Sequence, residues 1–261
     1  MKNVSGYRQW VTPAPEAVFL LVHGLGAHAG RWEALAGFFL KKGISSYAPE
    51  LSGAPGYYDK ILRIYDIASG ANPSKKIYLV GESLGALESF LLAIRHPKLF
   101  EGLICLSPAF ASRMKLPPLE YLKIFIALIY DRKRYFKIPF SSNMCTRDTD
   151  YSDKMDSDER ERRSANAVTL FNIMVDQLMA CILKARLKVP VLFLLSGNDK
   201  LVDPSAARNV FTKLTVCDKT LIEYPDMYHA LSIDLGKEKV FEDMAEWVKK
   251  RELSRRIACQ R

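Results

Sequence analysis

The 261-residue sequence lacks several patterns that mark specialised classes of protein. Its five cysteines are an odd number and include no Cys-x-x-Cys pair, which argues against a disulfide framework and against a zinc site. The N-terminal MKNVSGYRQW has no apolar segment followed by a cleavage site, so we expect no signal peptide. No uncharged run reaches the length of a membrane-spanning helix. These absences, with 49% hydrophobic and 26% charged residues, predict an ordinary globular protein of the cytoplasm.

Positive charge is in excess, and its location decides which partners it indicates. The formal net charge is +9; residues 249–261 hold six Lys or Arg and one Glu, and residues 113–186 are also mildly basic. One interpretation is a solvated tail, and the other is peripheral contact with an anionic membrane surface. No aromatic-interleaved basic patch or zinc motif accompanies the charge, so we expect no nucleic-acid partner. The oligomeric state is left open.

Strand and helix patterns alternate along most of the chain. Continuous apolar runs such as AVFLLV at 17–22 are typical of strands buried on both faces of a parallel sheet. Repeated βα units predict an α/β fold with a mostly parallel, doubly wound sheet. The predicted strands are 17–22, 44–48, 77–80, 102–106, 191–195 and 220–224, with room for one earlier strand near 7–11. The predicted helices are 31–42, 57–68, 84–95, 119–130, 204–214 and 240–252.

Residues 112–186 break this rhythm, because they look helical and show no clear buried strand. We therefore predict a core of residues 1–111 and 187–261 with an inserted helical cap at 112–186, over the edge where the strands end. Within the cap, 119–130 (LEYLKIFIALIY) either lines a substrate tunnel, touches a membrane surface or packs on the core. The charged run 148–163 is expected to be a solvated face. Candidate apolar lining residues are Met114, Phe125, Met155, Phe171, Met174 and Met179.

The segment GESLG at 81–85 places one hydroxyl, that of Ser83, between two glycines where a strand becomes a helix. Gly-x-Ser-x-Gly in this context is the nucleophile elbow. The serine sits on a sharp turn, and glycines on either side avoid clashes with the adjoining strand and helix. The sequence therefore predicts Ser83 as a nucleophile, against the alternative of a tight turn with a serine of no chemical role.

A serine nucleophile needs a base, and four histidines are available. His229 follows the last predicted strand, at the same edge as Ser83, and the order Ser, acid, His favours it. His96 precedes a proline at a helix end, where a surface or capping role is expected. The acid should lie on a strand-end loop between Ser83 and His229. We choose Asp199, with Asp203 as the alternative, although Asp203 precedes Pro204 and suits a helix N-cap.

The oxyanion of an acyl-transfer intermediate also needs donors. We predict the backbone N–H of Leu84, which follows the nucleophile, and that of Leu25 in the glycine-rich loop after the 17–22 strand. That loop lacks the spacing of a phosphate-binding motif, so a phosphate site is disfavoured. His23 and His28 then become hydrogen-bonding supports of the loop rather than bases.

Four segments together resemble the α/β-hydrolase superfamily, in its branch of monoacylglycerol lipases and lysophospholipase-like serine esterases. They are HGLGAHAGRW at 23–32, GESLG at 81–85, SGNDKLVD at 196–203 and YPDMYHAL at 224–231. The resemblance implies an α/β-hydrolase fold, a catalytic triad of Ser83, Asp199 and His229, and oxyanion donors at Leu25 and Leu84. Two departures lie away from these residues: the stretch from residue 50 to 76 is short and lacks the family's Gly-His-Gly-x-Ser segment, and the N-terminus has room for one strand instead of two.

The expected activity is hydrolysis of a carboxylic ester through an acyl-enzyme, on a monoacylglycerol or another single-chain lipid ester. No metal or organic cofactor is needed for this chemistry. The alternatives are a short-chain carboxylesterase, a thioesterase, a peptidase, or a non-catalytic module that binds a hydrophobic ligand in the same pocket. Fold resemblance alone does not decide among them.

Overall fold

An eight-stranded, mostly parallel sheet forms the centre of the protein. The computed structural model describes residues 2–4, 6–51, 57–114 and 116–258. Spatial strand order is β1-β2-β4-β3-β5-β6-β9-β10, in which only the first two strands run antiparallel to their neighbours. The sheet strands are β1 Lys2–Val4, β2 Tyr7–Trp10, β3 Ala17–Val22, β4 Ile44–Pro49, β5 Lys76–Glu82, β6 Gly102–Leu106, β9 Val191–Ser196 and β10 Lys219–Tyr224.

In the described ranges, eight α-helices accompany the strands. They are α1 Glu33–Lys41, α2 Tyr57–Ala71, α3 Leu84–Arg95, α4 Pro118–Tyr130, α5 Thr149–Ser157, α6 Ala167–Leu183, α7 Pro204–Thr212 and α8 Lys237–Ala258. Short 3-10 helices cover Ala29–Trp32, Ser142–Met144 and Lys184–Arg186. The expected α/β-hydrolase architecture is confirmed, and every predicted strand and helix of the sheet region is present with ends that differ by a few residues.

Side chains alternate between two cores, one on each face of the sheet. In β3, Val18 and Leu20 belong to the same core as residues of α2, α3 and α7, whereas Phe19 and Leu21 belong to the core that includes α1 and α8. This alternation follows from the period of two along a strand. Because both faces are covered, the central strands are apolar throughout, which is the pattern that made them recognisable in the sequence.

The prediction of one N-terminal strand is wrong, because two are present. β1 and β2 form a tight antiparallel hairpin in which Val4 pairs with Tyr7. Gly6 has a φ of +91°, a backbone conformation that glycine adopts without steric cost. With so short a turn, ten residues are enough for both strands.

The segment 112–186 contains α4, α5 and α6, and it also contains a small antiparallel pair that the sequence pattern missed. Strand β7 (Tyr135–Lys137) pairs with β8 (Ser164–Asn166), and each has only its central residue buried. Three-residue strands carry too short a pattern to be recognised from alternation. Of the 50–76 stretch, residues 52–56 lie outside the described part of the chain.

Helix α6 with its following turn (Ala167–Arg186) is, within the described residues, the one segment long and apolar enough to cross a membrane by length and composition. Asp176 interrupts the run, which is why a search for uncharged segments passes over it. In the fold, α6 packs against α3 and α4, and Ala180 is part of the core.

Candidate active site

Ser83 lies at the junction of β5 and α3 in a strained backbone conformation, with φ 59° and ψ −121°. Its N–H donates to the Leu106 carbonyl at 2.9 Å, which fixes the turn to the neighbouring strand. A Cβ on Gly81 would lie 2.3 Å from the Gly85 oxygen, and a Cβ on Gly85 would lie 2.1 Å from the Val22 oxygen. Neither position tolerates a side chain, because backbone atoms occupy the space. The local geometry is that of a nucleophile elbow.

Asp199 and His229 form a buried pair at the ends of β9 and β10. His229 Nδ1 lies 2.8 Å from Asp199 Oδ2, and both side chains are buried. Asp199 Oδ1 accepts the N–H groups of Leu201 and Val202 at 2.8 and 2.9 Å, so this carboxylate is held from both oxygens. With Nδ1–H donating to Asp199, the lone pair of Nε2 is available as a base.

Asp203, the alternative acid, has the other role expected of it. Its Oδ1 accepts the Ser205 N–H at 2.9 Å, and Pro204 begins α7 directly after it. Asp203 is therefore the N-cap of α7. Of the two candidate acids, Asp199 is the one in contact with His229.

Neighbouring charges raise the pKa of His229 above its ordinary value. Burial is the largest single influence and favours the neutral ring, but the charge of Asp199 and its hydrogen bond outweigh it. The Glu82 carboxylate adds to the stabilisation of the protonated ring, and Arg31 opposes it. An imidazole in this setting is a stronger base than a free one.

Ser83 and His229 line the same cavity, together with Leu25 and Leu84. The Ser83 hydroxyl has no hydrogen-bond partner among the described residues, so its contact with His229 stays a prediction. Nucleophile–base hydrogen bonds are often long in enzymes without substrate. The N–H groups of Leu25 and Leu84 also make no hydrogen bond within the described part of the chain, so both are available as the predicted oxyanion donors.

The loop after β3 is supported by its two histidines, as expected. His23 Nε2 accepts the Leu51 N–H at 3.1 Å while Nδ1 lies 2.9 Å from the Gly24 carbonyl, and burial lowers the pKa of His23 to about 4. His28 Nδ1 accepts the Gly30 N–H at 3.1 Å. Both rings are therefore hydrogen-bonding supports and neither is placed as a base.

The expectation of a solvated face at 148–163 is wrong for the end of that run. Arg31 makes two hydrogen bonds of 2.6 Å to the carboxylate of Glu161, and the two side chains are only 10% and 8% exposed. The Arg162 N–H donates to the Gly26 carbonyl at 2.8 Å. The charges were judged solvated because their partners lie 130 residues away in the sequence. They attach segment 158–163 to the predicted oxyanion loop.

The cavity has a volume of about 200 Å³ and mostly apolar walls. Met114 and Met174 are among its lining residues, as predicted, whereas Phe125, Met155, Phe171 and Met179 are not. Helix α4 contributes Tyr121 and Ile124 to the lining, so it both borders the cavity and exposes its opposite face. The polar side chains of the lining include Glu82 and His229, and also Lys137 and Gln177 of segment 112–186. A mostly apolar cavity with a small number of polar groups is typical of a site for an apolar ligand with a reactive polar group.

Two buried carboxylates near His229 were missed by sequence reasoning. Glu82 accepts two hydrogen bonds from Ser232, and Asp234 accepts hydrogen bonds from Tyr228, Thr146 and Arg147. Glu82 is the residue before Ser83 in GESLG, a position that the Gly-x-Ser-x-Gly motif leaves unspecified. A charged residue so close to the predicted nucleophile was the one signal in the sequence. Nothing in the sequence pairs either carboxylate with partners so distant.

A strand–turn–helix serine, an Asp–His pair at the next strand ends and a parallel sheet with this strand order define an α/β-hydrolase. The family profile described as "Serine aminopeptidase, S33" (Hydrolase_4) matches residues 13–236, and the chain belongs to this family. It is 25% identical to the monoglyceride lipase of Mus musculus, over 94% of this chain and 86% of that protein. It is 23% identical to phospholipase YtpA of Bacillus subtilis, over 89% and 95% of the two chains.

Solved structures show the same fold. The monoacylglycerol lipase of Paleococcus ferrophilus superposes with a TM-score of 0.84 and 24% identity, over 94% of this chain and 98% of that one. A soluble variant of the Saccharomyces cerevisiae monoglyceride lipase, in complex with a substrate analogue, gives 0.80 and 17% identity, over 94% and 91% of the two chains. The expected membership of the monoacylglycerol lipase-like branch of carboxylic ester hydrolases is thereby confirmed.

Proposed function

We propose that the protein hydrolyses monoacylglycerols or other single-chain lipid esters through an acyl-enzyme formed on Ser83. One observation carries the proposal: the strained Ser83 and His229, which is paired with the buried Asp199, line the same mostly apolar cavity. An ester carbonyl at Ser83 would leave its alkyl chain among apolar side chains and its alcohol near the few polar ones.

In the proposed mechanism, His229 Nε2 takes the proton of the Ser83 hydroxyl as Oγ attacks the ester carbonyl. The N–H groups of Leu25 and Leu84 donate to the oxyanion, and Asp199 stabilises the imidazolium. The tetrahedral intermediate collapses when the C–O bond to the alcohol breaks and His229 returns the proton to the leaving oxygen. Water then attacks the acyl-enzyme by the same route and releases the fatty acid.

Replacement of Ser83 tests the chemistry. Ser83→Ala should lower kcat/KM for a p-nitrophenyl ester by about 10⁴-fold or more, because no other nucleophile lies at the elbow. Ser89→Ala is the matched control, since Ser89 is buried in α3, the helix that follows Ser83, and does not line the cavity. Both variants should give the circular dichroism spectrum of the wild type. Wild-type turnover by Ser83→Ala would refute the assignment.

A series of acyl chain lengths tests the lipid preference against a short-chain esterase. Monoacylglycerols with chains from acetyl to oleoyl are compared by kcat/KM, and we expect the maximum at a long chain because the cavity walls are apolar. A maximum at acetyl or butyryl would make the protein a carboxylesterase. A parallel series of acyl-CoA esters would reveal a thioesterase.

The family description favours one further candidate, a peptidase. Aminoacyl p-nitroanilides distinguish it, since an ester hydrolase of the proposed kind should turn them over much more slowly than esters of the same acyl group. A fluorophosphonate probe separates all of these enzymes from a binding module, because only an activated serine reacts with it. Labelling should be lost in Ser83→Ala and kept in Ser89→Ala.

We also propose that the outer faces of α4 and α6 contact an anionic membrane surface. Large apolar side chains are exposed there, among them Leu122, Ile129 and Ile182, and Ile129 is 77% exposed. After Asp131 at the C-terminal end of α4 come two exposed basic residues, Arg132 and Lys133. An apolar face beside basic residues suits an interface with anionic headgroups.

Liposome co-sedimentation tests the membrane contact. Wild type should bind vesicles that contain phosphatidylserine at low salt and bind less in high salt, because headgroup attraction is screened. Ile129→Glu should weaken binding, whereas Val11→Glu, at an exposed apolar position in the N-terminal region before β3, should not. Equal binding by both variants would refute the assignment of this surface.

A further inference from the structure

Glu82 is a buried carboxylate beside the proposed nucleophile that the mechanism above does not use. It is the last residue of β5, it is 5% exposed, and it lines the cavity. A buried acid is costly unless its oxygens are hydrogen-bonded. The hydrogen-bond partners of Glu82 therefore indicate the role of this buried carboxylate.

Both oxygens of Glu82 are used by one residue of the histidine loop. The Ser232 N–H donates to Oε1 at 2.9 Å, and the Ser232 hydroxyl lies 2.8 Å from Oε2. Ser232 is fully buried and stands three residues after His229. These two bonds join the nucleophile elbow directly to the loop that carries the base, across 150 residues of sequence.

A second carboxylate holds the other side of the same loop. Asp234 accepts the Tyr228 N–H at 2.7 Å and also the Arg147 N–H at 2.6 Å, so the loop is attached to segment 146–147 as well. His229 therefore lies between two fixed points. Of these two carboxylates, Glu82 is the one that links the histidine loop to the strand end next to Ser83.

The charged groups that face His229 come from three elements. Asp199 follows β9, Glu82 ends β5, and Arg31 belongs to the 3-10 helix after the oxyanion loop. Asp199 and Glu82 favour the protonated ring, and Arg31 disfavours it. Burial raises the pKa of Glu82 itself, while the two Ser232 donors lower it. A backbone N–H can only donate, so Oε1 is an acceptor in either protonation state.

We propose that Glu82 is a positioning residue for His229, which fixes the histidine loop to the elbow through Ser232 and adds a second negative charge behind the imidazolium. The inference rests on the proposed function, because it concerns the base of that reaction. Two substitutions separate the effect of the Glu82–Ser232 hydrogen bonds, here called the bridge, from the effect of the negative charge. Glu82→Gln retains an oxygen acceptor for the Ser232 N–H and a donor for its hydroxyl but loses the charge, whereas Glu82→Ala loses both.

The pH dependence of kcat/KM for a p-nitrophenyl ester distinguishes the two roles, because the loss of a purely structural residue would not shift the pH profile. His229 must be neutral to act as a base, so the acid limb of the profile follows its pKa. Removal of a negative charge lowers that pKa. The acid limb of Glu82→Gln should therefore move to lower pH, with the ratio of the rate at pH 5.5 to the rate at pH 8 above that of wild type.

Loss of the bridge should reduce the plateau rate. Glu82→Ala should lower kcat on the order of 10- to 100-fold with little change in KM, because a displaced base costs rate more than binding. Glu88→Gln is the matched control: Glu88 is a buried acid on α3 that is not among the groups acting on His229. Its acid limb should coincide with that of wild type.

A titration of the histidine C2–H signals by NMR measures the effect of Glu82 on the pKa of His229 directly, without an activity assay. The sequence has four histidines, so assignment of the signals is simple. The pKa of His229 should fall in Glu82→Gln and stay unchanged in Glu88→Gln. An unchanged His229 titration in Glu82→Gln overturns the proposed charge effect. This measurement applies even where Ser83→Ala retains activity and the proposed function fails.

If Glu82→Ala does not fold, Ser232→Ala tests the bridge, since it removes the hydroxyl contact and keeps the charge. Its kcat should fall while its acid limb stays at the wild-type pH. Wild-type kcat in Ser232→Ala, or in a folded Glu82→Ala, overturns the positioning role.

Discussion

Gly85→Ala is expected to destabilise the protein, although helix propensity alone would favour alanine at this position. The size of the destabilisation can be worked out from the structure. Gly85 is the second residue of α3, where alanine would ordinarily be preferred by roughly 0.5–1 kcal/mol. An added Cβ, however, would lie 2.1 Å from the Val22 oxygen and 2.6 Å from the His23 oxygen. Both are backbone atoms, so no side-chain rotation relieves the overlap.

The helix must therefore move away from β3, and overpacking of this kind costs about 3 kcal/mol or more. For a protein of this size each kcal/mol shifts Tm by roughly 2–4 °C, so Gly85→Ala should melt about 6–12 °C below wild type. Because α3 begins at the elbow, esterase activity should also fall sharply.

Gly37→Ala is the matched control. Gly37 lies within α1, and an added Cβ there would meet nothing within 4 Å. The higher helix propensity of alanine is therefore the main effect expected at this site. Gly37→Ala should melt about 1–4 °C above wild type and keep full activity. Thermal unfolding by circular dichroism and hydrolysis of a p-nitrophenyl ester measure both effects. Wild-type melting and activity in Gly85→Ala would refute the steric reasoning.

The remaining predictions concern other buried carboxylates and their neighbours. Burial raises the pKa of Glu88 above its ordinary value, so the favourable contribution of the protonated acid is present at low pH and is lost as pH rises. Glu88→Gln should therefore raise the free energy of unfolding by about 1–3 kcal/mol at pH 8 and by less at pH 5; equal gains at both pH values would contradict this. Asp199→Asn should lower kcat by about 10⁴-fold, whereas Asp203→Ala should cost about 1 kcal/mol of stability through its N-cap and little rate; the opposite ranking in rate would identify Asp203 as the acid. Asp234→Asn should lower the free energy of unfolding in urea by about 1–3 kcal/mol, because its donors lose a charged acceptor, and an unchanged urea midpoint would argue against Asp234 as a fixed point of the loop.

Much of the candidate site is local in the sequence, and that part was predictable. Ser83 and its glycines are recognisable within five residues because one sharp turn imposes all their requirements. Asp199 and His229 were found by order and by position after apolar strands, since parallel strands bring their ends to one edge. Their contact at 2.8 Å agrees with that reasoning.

Several of the predictions that failed depended on partners distant in the sequence. The charges at 148–163 looked solvated because a sequence gives no sign that Arg31 stands opposite Glu161. The apolar residues of α4 and α6 could not be divided by helical period alone into those that line the cavity and those that face outward. The packing of α4 against α6 decides that division.

The amino-acid order by itself determined the central parallel strands, the sharp turn at Ser83 and the position of Asp199 and His229 after strand ends, because each depends on neighbours within a strand or turn. Only the tertiary structure decided that Glu82 would accept hydrogen bonds from Ser232, and that Glu161 would be the partner of Arg31. Such contacts arise when strands brought together by hydrophobic burial set remote polar groups side by side, where exclusion of water makes each hydrogen bond obligatory.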